Sequence, residues 1–394
     1  CIRDRYYRAA IDASGGAAST ELLEDAATAN YMVGRYDIAV KYQTEVMDRL
    51  AESNDVLRLG DAWRRLSRYR WSGGDIVTSW GEAEKAIDIL EGHESPELAL
   101  AYANLSQLRM LAYSDLDAEA PARRAIELAE KFERYDIIAQ AKQNIAGYIL
   151  YSDIVYAKRL MQDAIDTALE HGHAEAAARG MVNMAYMYWW HFQYEEGCAV
   201  SRKYETYALE QELDAYHDYH GGTLALMELE LGHLEEAKKL IKKNTAPPEQ
   251  HFQGWHQFPG TVANARWLYR TNQPDDPVVT EYLKRYLTTA KESQRLAPIA
   301  ELNAERAWVE GTDPEPAIAG ILSVIDLAPR SETIAYMRVW LHRLGAGHRD
   351  TEVNDHVPEP HRSELLGDPG RAAELWAERN ACLLYTSDAA DDLA

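Results

Sequence analysis

Three asparagines recur at one interval. Asn104, Asn144 and Asn183 stand 40 and 39 residues apart, in AYANLSQLRML, AKQNIAGYILY and GMVNMAYMYWW, each followed by an apolar residue and then Ala or Ser. An Asn side chain both donates and accepts hydrogen bonds, so a row of them suits a peptide backbone or a polar small molecule. It suits equally well a set of bonds that fix one helix against the next. On a helix, residues three, four and seven further on share a face. From Asn144 these are Gly147, Tyr148 and Tyr151; from Asn183 they are Tyr186, Met187 and Trp190. The groove reading therefore comprises Asn104, Asn144, Tyr148, Tyr151, Asn183, Tyr186 and Trp190, a polar ladder beside an aromatic wall. The stacking reading assigns each Asn to the adjacent hairpin instead. AYMYWWHFQY adds Tyr188, Trp189, Phe192 and Tyr194 to the same wall, more rings than one helix buries against two neighbours.

Other chemistry is weakly supported. His217 and His220 lie three apart, and His171 and His173 two apart, but no Cys or Glu completes a metal-binding pattern. Surface or capping roles are expected for these histidines, with no metal and no cofactor. Apart from the cysteines at the two ends, the chain holds one, Cys198, in EEGCAV. A lone internal thiol makes no internal disulfide and fits a reducing, cytoplasmic setting; burial as an inert side chain is the expected role. Neither a Gly-x-Ser-x-Gly elbow nor a Gly-rich phosphate loop ending in Lys-Ser/Thr occurs, so no enzymatic activity is expected of this chain. Lys238, Lys239, Lys242 and Lys243 read as a solvated helix end, where each cation gains roughly 0.3–1 kcal/mol from the helix dipole. With 41 Lys+Arg against 64 Asp+Glu the net charge is -23. Such a surface repels phosphate backbones, so direct nucleic-acid binding is not expected. The uncharged run Gly180–Tyr194 is too short to span a membrane.

The elements that position these residues are helices almost throughout. Apolar residues recur at three- and four-residue spacing, and strand-like alternation is scarce. Ala86, Ala125 and Ala164 form a second series at intervals of 39. The Asn series marks the first helix of each hairpin and the Ala series the second. ANYMVGRYDIAVKYQ and LELGHLEEAKKL carry a turn Gly, a packing apolar residue and an Ala, at Gly34, Tyr36 and Ala39 and at Gly232, Leu234 and Ala237. This pattern resembles tetratricopeptide repeats with the period stretched to about 40, over Leu22–Trp376 and patchy from Asn244 onward. The resemblance implies an all-α fold, a right-handed α-solenoid of helical hairpins whose first helices line the concave surface. Asn244–Gly260 and Gly345–His361 read as loops that interrupt it.

A finer resemblance rests on WRRLSRYRWSGG, SPELALAYANLSQLRMLA, ARRAIELAEKF and VPEPHRSELLGDPGRAAELWAERN. These are similar to the helical arm of large bacterial LuxR-type, maltose-activator-like transcriptional regulators. There a STAND/AAA ATPase precedes the arm and a helix-turn-helix follows it. The Pro-Glu-Pro and Gly-Asp elements correspond to Pro358, Glu359, Pro360, Gly367 and Asp368. The resemblance implies a non-catalytic sensor arm that binds a small-molecule inducer, a peptide or a protein. The same arm in an ATPase-coupled nucleotide cyclase, or a free-standing peptide-binding repeat protein, are the alternatives. The end segments CIRDR and CLLYTSDAADD match the translation of the mosaic-end adapter of transposase sequencing libraries in its two orientations. The expected organisation is thus adapter over residues 1–5, solenoid over 6–345, a loop and truncated terminal helix pair over 346–381, and adapter over 382–394. Without a polar cap, Ser363–Asn380 is expected to be weakly held.

Overall fold

A computed structural model gives the fold and describes residues 2–14, 18–32, 35–73, 75–111, 116–150, 152–244, 258–271, 293–327, 332–347 and 359–378. Among these residues there are nineteen helices and no strand. A lead helix α1 (Ile2–Ala13) is followed by hairpins, each of a first and a second helix. They are α2 (Thr20–Met32) with α3 (Tyr36–Ala51), α4 (Val56–Ser72) with α5 (Ile76–Leu90), and α6 (Pro96–Leu111) with α7 (Glu119–Lys131). Next come α8 (Tyr135–Ile149) with α9 (Ile154–Glu170), α10 (Ala174–Trp190) with α11 (Tyr194–Glu210), and α12 (Asp214–Glu230) with α13 (Leu234–Asn244). Then follow α14 (Phe258–Arg270), α15 (Ser293–Glu310) with α16 (Glu315–Leu327), α17 (Glu332–Arg343), and α18 (His361–Leu365) with α19 (Pro369–Glu378).

Local chemistry starts and stops these helices at the repeat interval. Asp55, Asp75 and Asp153 cap α4, α5 and α9, each carboxylate accepting from the backbone N–H three residues on; such a cap contributes about 1 kcal/mol. The turns between hairpins place Gly92, Glu133, Gly172 and Glu212 in the left-handed region, with φ of 86°, 54°, 75° and 57°. After three of these, the next N–H reaches back five residues: Arg134 to Ala129, His173 to Ala168 and Leu213 to Ala208. That bond closes the last helical turn.

Packing separates two layers. The first helices stack directly, α4 on α6, α6 on α8, α8 on α10, α10 on α12 and α12 on α14. The second helices pack on their own and the following first helix, as α5 does on α6 and α7 on α8, with no comparable contact among themselves. A layer with closer spacing lies on the inside of a bend, so the first helices form the inner surface. The repeating alanines Ala86, Ala125 and Ala164 sit fully buried on the second helices. Where α12 meets α14 the backbones themselves touch: a Cβ on Gly222 would stand 2.4 Å from Gly260 N.

The C-terminal pair α18–α19, expected to be weakly held, makes specific side-chain bonds to the array. Arg343 of α17 donates twice to Glu364, at 3.0 and 2.9 Å, and Trp376 Nε1 donates to the same carboxylate at 2.9 Å. Trp376 is buried in the core with Tyr194 and Leu229.

The left-handed turns yield the first test. A non-glycine residue there costs roughly 1–2 kcal/mol, offset in part by the entropy that glycine loses on folding. Glu212→Gly is expected to raise the denaturation midpoint, by about 0.5–1 kcal/mol in stability. Gly172→Ala, in open space, is expected to lower it comparably. Urea titration followed by circular dichroism measures both, and a fall for Glu212→Gly would refute the turn argument.

Candidate functional site

The inner layer divides into a seam of neutral polar bonds and a seam of buried charge. In the first, Asn104 is 3 % exposed and its Nδ2 donates to Ser67 Oγ at 3.2 Å. Ser67 in turn donates to the Ser79 carbonyl at 2.8 Å, and 39 residues on Ser106 donates to the Ala118 carbonyl at the same distance. Asn144, 2 % exposed, donates to the Ala103 carbonyl at 2.9 Å. The amide donors of Asn104 and Asn144 are thus used between stacked first helices, facing the seam. Asn183 and Tyr148 are half-buried, and Tyr151 lies outside the described residues. Tyr186 and Trp190 come together, ring centres 5.5 Å apart, with Trp189 at 5.5 Å from Tyr186 and 5.1 Å from Trp190. The structure therefore brings Tyr186 and Trp190 of the predicted groove together and bonds Asn104 and Asn144 to neighbouring helices.

Trp190 lines a cavity of about 20 Å³, large enough for one water. Trp189, Phe192, Tyr194, Ala297, Tyr336 and Met337 wall it, and Arg266 and Glu301 supply its charged groups. The turn between α10 and α11 thus meets α14, α15 and α17 across the interior. Phe192 makes that meeting, its ring lying 5.9 Å from Tyr336, 4.6 Å from His361 and 5.4 Å from Trp376. It holds a φ of 57° at a turn where the hairpins α12–α13 and α15–α16 use Gly232 and Gly311. Two donors on the cavity lining, Trp190 Nε1 and Arg266 Nε, are buried without a partner.

Beneath the cavity runs the charged seam. Arg266 Nη1 donates to Glu230 at 2.9 Å and its Nη2 to Glu301, while Tyr336 Oη donates to the other Glu301 oxygen. Arg270 Nε donates to Glu305 at 2.9 Å and its Nη1 to Glu230 at 3.3 Å. Three carboxylates surround two guanidiniums, so full ionisation leaves one surplus buried negative charge. Burial pushes Glu301 up, against the pull of Arg266 and the Tyr336 hydroxyl, to about 7. None of these residues was predicted. Their signal is a changed interval: Glu230, Arg266, Glu301 and Tyr336 follow one another at 36, 35 and 35 residues, off the 39–40 register.

The remaining candidates are placed as follows. His217 contacts Glu205 and Asp218 at 3.4 and 3.3 Å. His220 is fully buried instead of on the surface, because its helix face packs into the core beside Tyr204; burial, and then His217, lower it to about 3. Among the described residues no group of three or more His, Cys, Asp or Glu has metal-binding geometry. Cys198 is buried, and burial first, then Glu228, raises its thiol well above the usual range. No helix among the described residues is long and apolar enough to cross a membrane.

No protein-family model matches the chain, and no curated protein matches it. Solved structures do. A Rap protein complexed with competence and sporulation factor is similar at 13 % identity with a TM-score of 0.53, over 84 % of this chain and 97 % of that one. The apo form of RapI gives 10 % identity and 0.47, over 83 % and 89 %. A STAND protein with a tetratricopeptide repeat sensor from Pyrococcus horikoshii gives 15 % identity and 0.45, and this chain spans 72 % of itself and 44 % of that protein. The fold is an α-solenoid of tetratricopeptide-like hairpins.

Two outcomes test the seams. Asn144→Ala is expected to cost about 1–3 kcal/mol by leaving a buried acceptor without its donor; unchanged urea stability would remove Asn144 from the stacking role. For Glu301, a folded pKa above the free value of 4.5 means the folded state holds a proton between about 4.5 and 7. Its contribution is fully present below 4.5 and is lost as pH rises through 7. Stability should therefore fall between about pH 4.5 and 7, and Glu301→Gln should flatten that fall; an unaltered profile would contradict the surplus-charge account.

Proposed function

We propose that the chain is a non-catalytic ligand-sensing arm, in which the aromatic pocket of the inner layer, closed to the size of one water, opens to take up a peptide or small polar molecule. One observation carries this reading: Trp190 Nε1 and Arg266 Nε both lack an acceptor on the wall of one aromatic cavity. Apolar walls with a few convergent polar groups are the usual makeup of a ligand site. The fold neighbour solved in complex with competence and sporulation factor supports ligand binding as a use of this architecture. The resemblance to the arm of LuxR-type ATPase regulators supports the finer statement, that binding here is relayed to an ATPase and a DNA-binding domain in a longer protein. The relay has a structural candidate, because the pocket is closed by helices as far apart in the chain as α10 and α17. A ligand that separates Trp190 from Tyr336 moves the two halves of the array relative to each other.

Tryptophan emission tests the reading, since Trp189 and Trp190 line the cavity. The full chain is titrated with short peptides and small polar compounds. At least one class is expected to shift the emission saturably, and Trp190→Phe, which keeps the ring and loses the donor, should weaken it about tenfold. Ligands that bind with equal affinity to Trp190→Phe would overturn the pocket assignment.

A further inference from the structure

Two cations of the inner layer stand apart from the pattern of ion pairs. Most arginines of the described chain that approach another helix do so through a carboxylate, as Arg70 does to Glu82 and Arg343 to Glu364. Arg68 of α4 and Arg179 of α10 do not. Arg68 Nε donates to Tyr31 Oη at 3.1 Å, and Arg179 Nε donates to Gln143 Oε1 at 2.8 Å. Both partners are neutral, and neither guanidinium forms an ion pair among the described residues. Each also holds one terminal nitrogen shut off from solvent with no acceptor, Nη1 of Arg68 and Nη2 of Arg179. Ion pairs are abundant elsewhere in a chain with 64 acidic residues against 41 basic ones, so a shortage of carboxylates does not explain this.

The two arginines also lie near one another. Two hairpins lie between that of α4 and that of α10, yet Arg68 lies within electrostatic range of Arg179 and repels it. Tyr31 and Tyr216 share that surrounding. Glu175 is the nearest carboxylate, and it accepts from Tyr216 Oη at 3.4 Å while making no ion pair with Arg179. Burial lowers the Arg179 guanidinium to about 10, outweighing the pull of Tyr216 and Glu175. Two like charges brought together with unfilled donors are unfavourable alone and become favourable around an anion. The planar guanidinium fork fits the two oxygens of a carboxylate or phosphate.

We propose that the inner layer binds a compact oxyanion, a carboxylate or a phosphate, between Arg68 and Arg179, with the hydroxyls of Tyr31 and Tyr216 beside it. The neutral bonds to Tyr31 and Gln143 hold the two forks in place, and the net negative surface keeps non-specific anions away. The site is separate from the aromatic pocket: Arg179 precedes Trp190 by eleven residues on α10, about 16 Å of helical rise. The ligand's charged group would thus be read at one end of α10 and its apolar group at the other.

Calorimetric titration of the full chain at constant ionic strength tests this, with sodium chloride as the screening control. The probes are inorganic phosphate, an acetylated dipeptide with a free carboxylate, and its amide. Saturable binding of phosphate or of the free-acid peptide, weakened about tenfold or more in Arg68→Gln and Arg179→Gln, is expected. Binding of the free acid and not the amide identifies a carboxylate ligand; binding of phosphate alone identifies a phosphorylated one. Arg179→Lys keeps the charge and loses the fork, so it should fold and still bind more weakly. Binding of inorganic phosphate, which is too small to reach Trp190 as well, separates this site from the pocket. No saturable binding of either oxyanion, or binding that all three arginine variants retain, overturns the proposal.

Discussion

The first helices of neighbouring hairpins stack directly on one another, and close approach at glycines and polar bonds join them across the seam. An isolated hairpin cannot bury its own apolar face, so the array exists only through these seams. The second helices lack such contact with one another and are set by their attachment to the inner layer. Small residues meet the constraint where backbones touch, as at Gly222 against Gly260. Elsewhere a polar side chain spans the seam. Asn104 reaches Ser67, and Ser67 reaches the carbonyl of Ser79, so one chain of bonds ties α6 to α4 and α4 to α5.

The same constraint is met differently beyond α12. There the polar seam is ionic, Glu230 to Arg266 to Glu301, with Tyr336 at its end. Burying such a cluster stabilises little in net terms, because the desolvation of each ion offsets the attraction between them. Its value is directional. A slip of α14 or α15 by one turn would leave a buried charge uncompensated, at a cost of about 3–5 kcal/mol. The spacing also shortens here, from 39–40 residues to 35–36, and each first helix must find a new register. Neutral amide bonds tolerate small displacement; a buried guanidinium between two carboxylates does not.

The hairpins and their period were legible because the turn residues and the buried alanines recur at fixed places. Gly92, Glu133, Gly172 and Glu212 fall within two residues of one interval although only two of the four are glycine. The aromatic wall was legible too, since no helix buries Tyr186, Trp189, Trp190 and Phe192 among its immediate neighbours alone. What closed the wall was not. Tyr336, His361 and Trp376 reach Phe192 from helices far along the chain. No local pattern marks such a contact. The charged seam was hidden for another reason: Glu and Arg on a helix read as surface charge until their partners one repeat away are aligned, and a search at 40 residues passes over partners at 35. The roles of Asn104 and Asn144 were left between two readings because an Asn bonds a ligand and a neighbouring carbonyl with the same atoms.

Phe192 connects these features. Its backbone sits in a conformation that costs a non-glycine residue roughly 1–2 kcal/mol, and glycine would occupy the turn without that cost. A glycine there would remove the ring that touches Tyr336, His361 and Trp376, and with it the contact that brings the end of α10 onto α17, α18 and α19. A fully buried Phe contributes about 1.5–3 kcal/mol through its apolar surface, which exceeds the strain by a small margin. The closure of the interior is therefore favourable but shallow. Its nearest neighbours are the unfilled donors of Trp190 and Arg266 and the protonatable Glu301. A shallow closure beside unsatisfied polar groups is the arrangement in which binding of a few kcal/mol can change the spacing of the two halves.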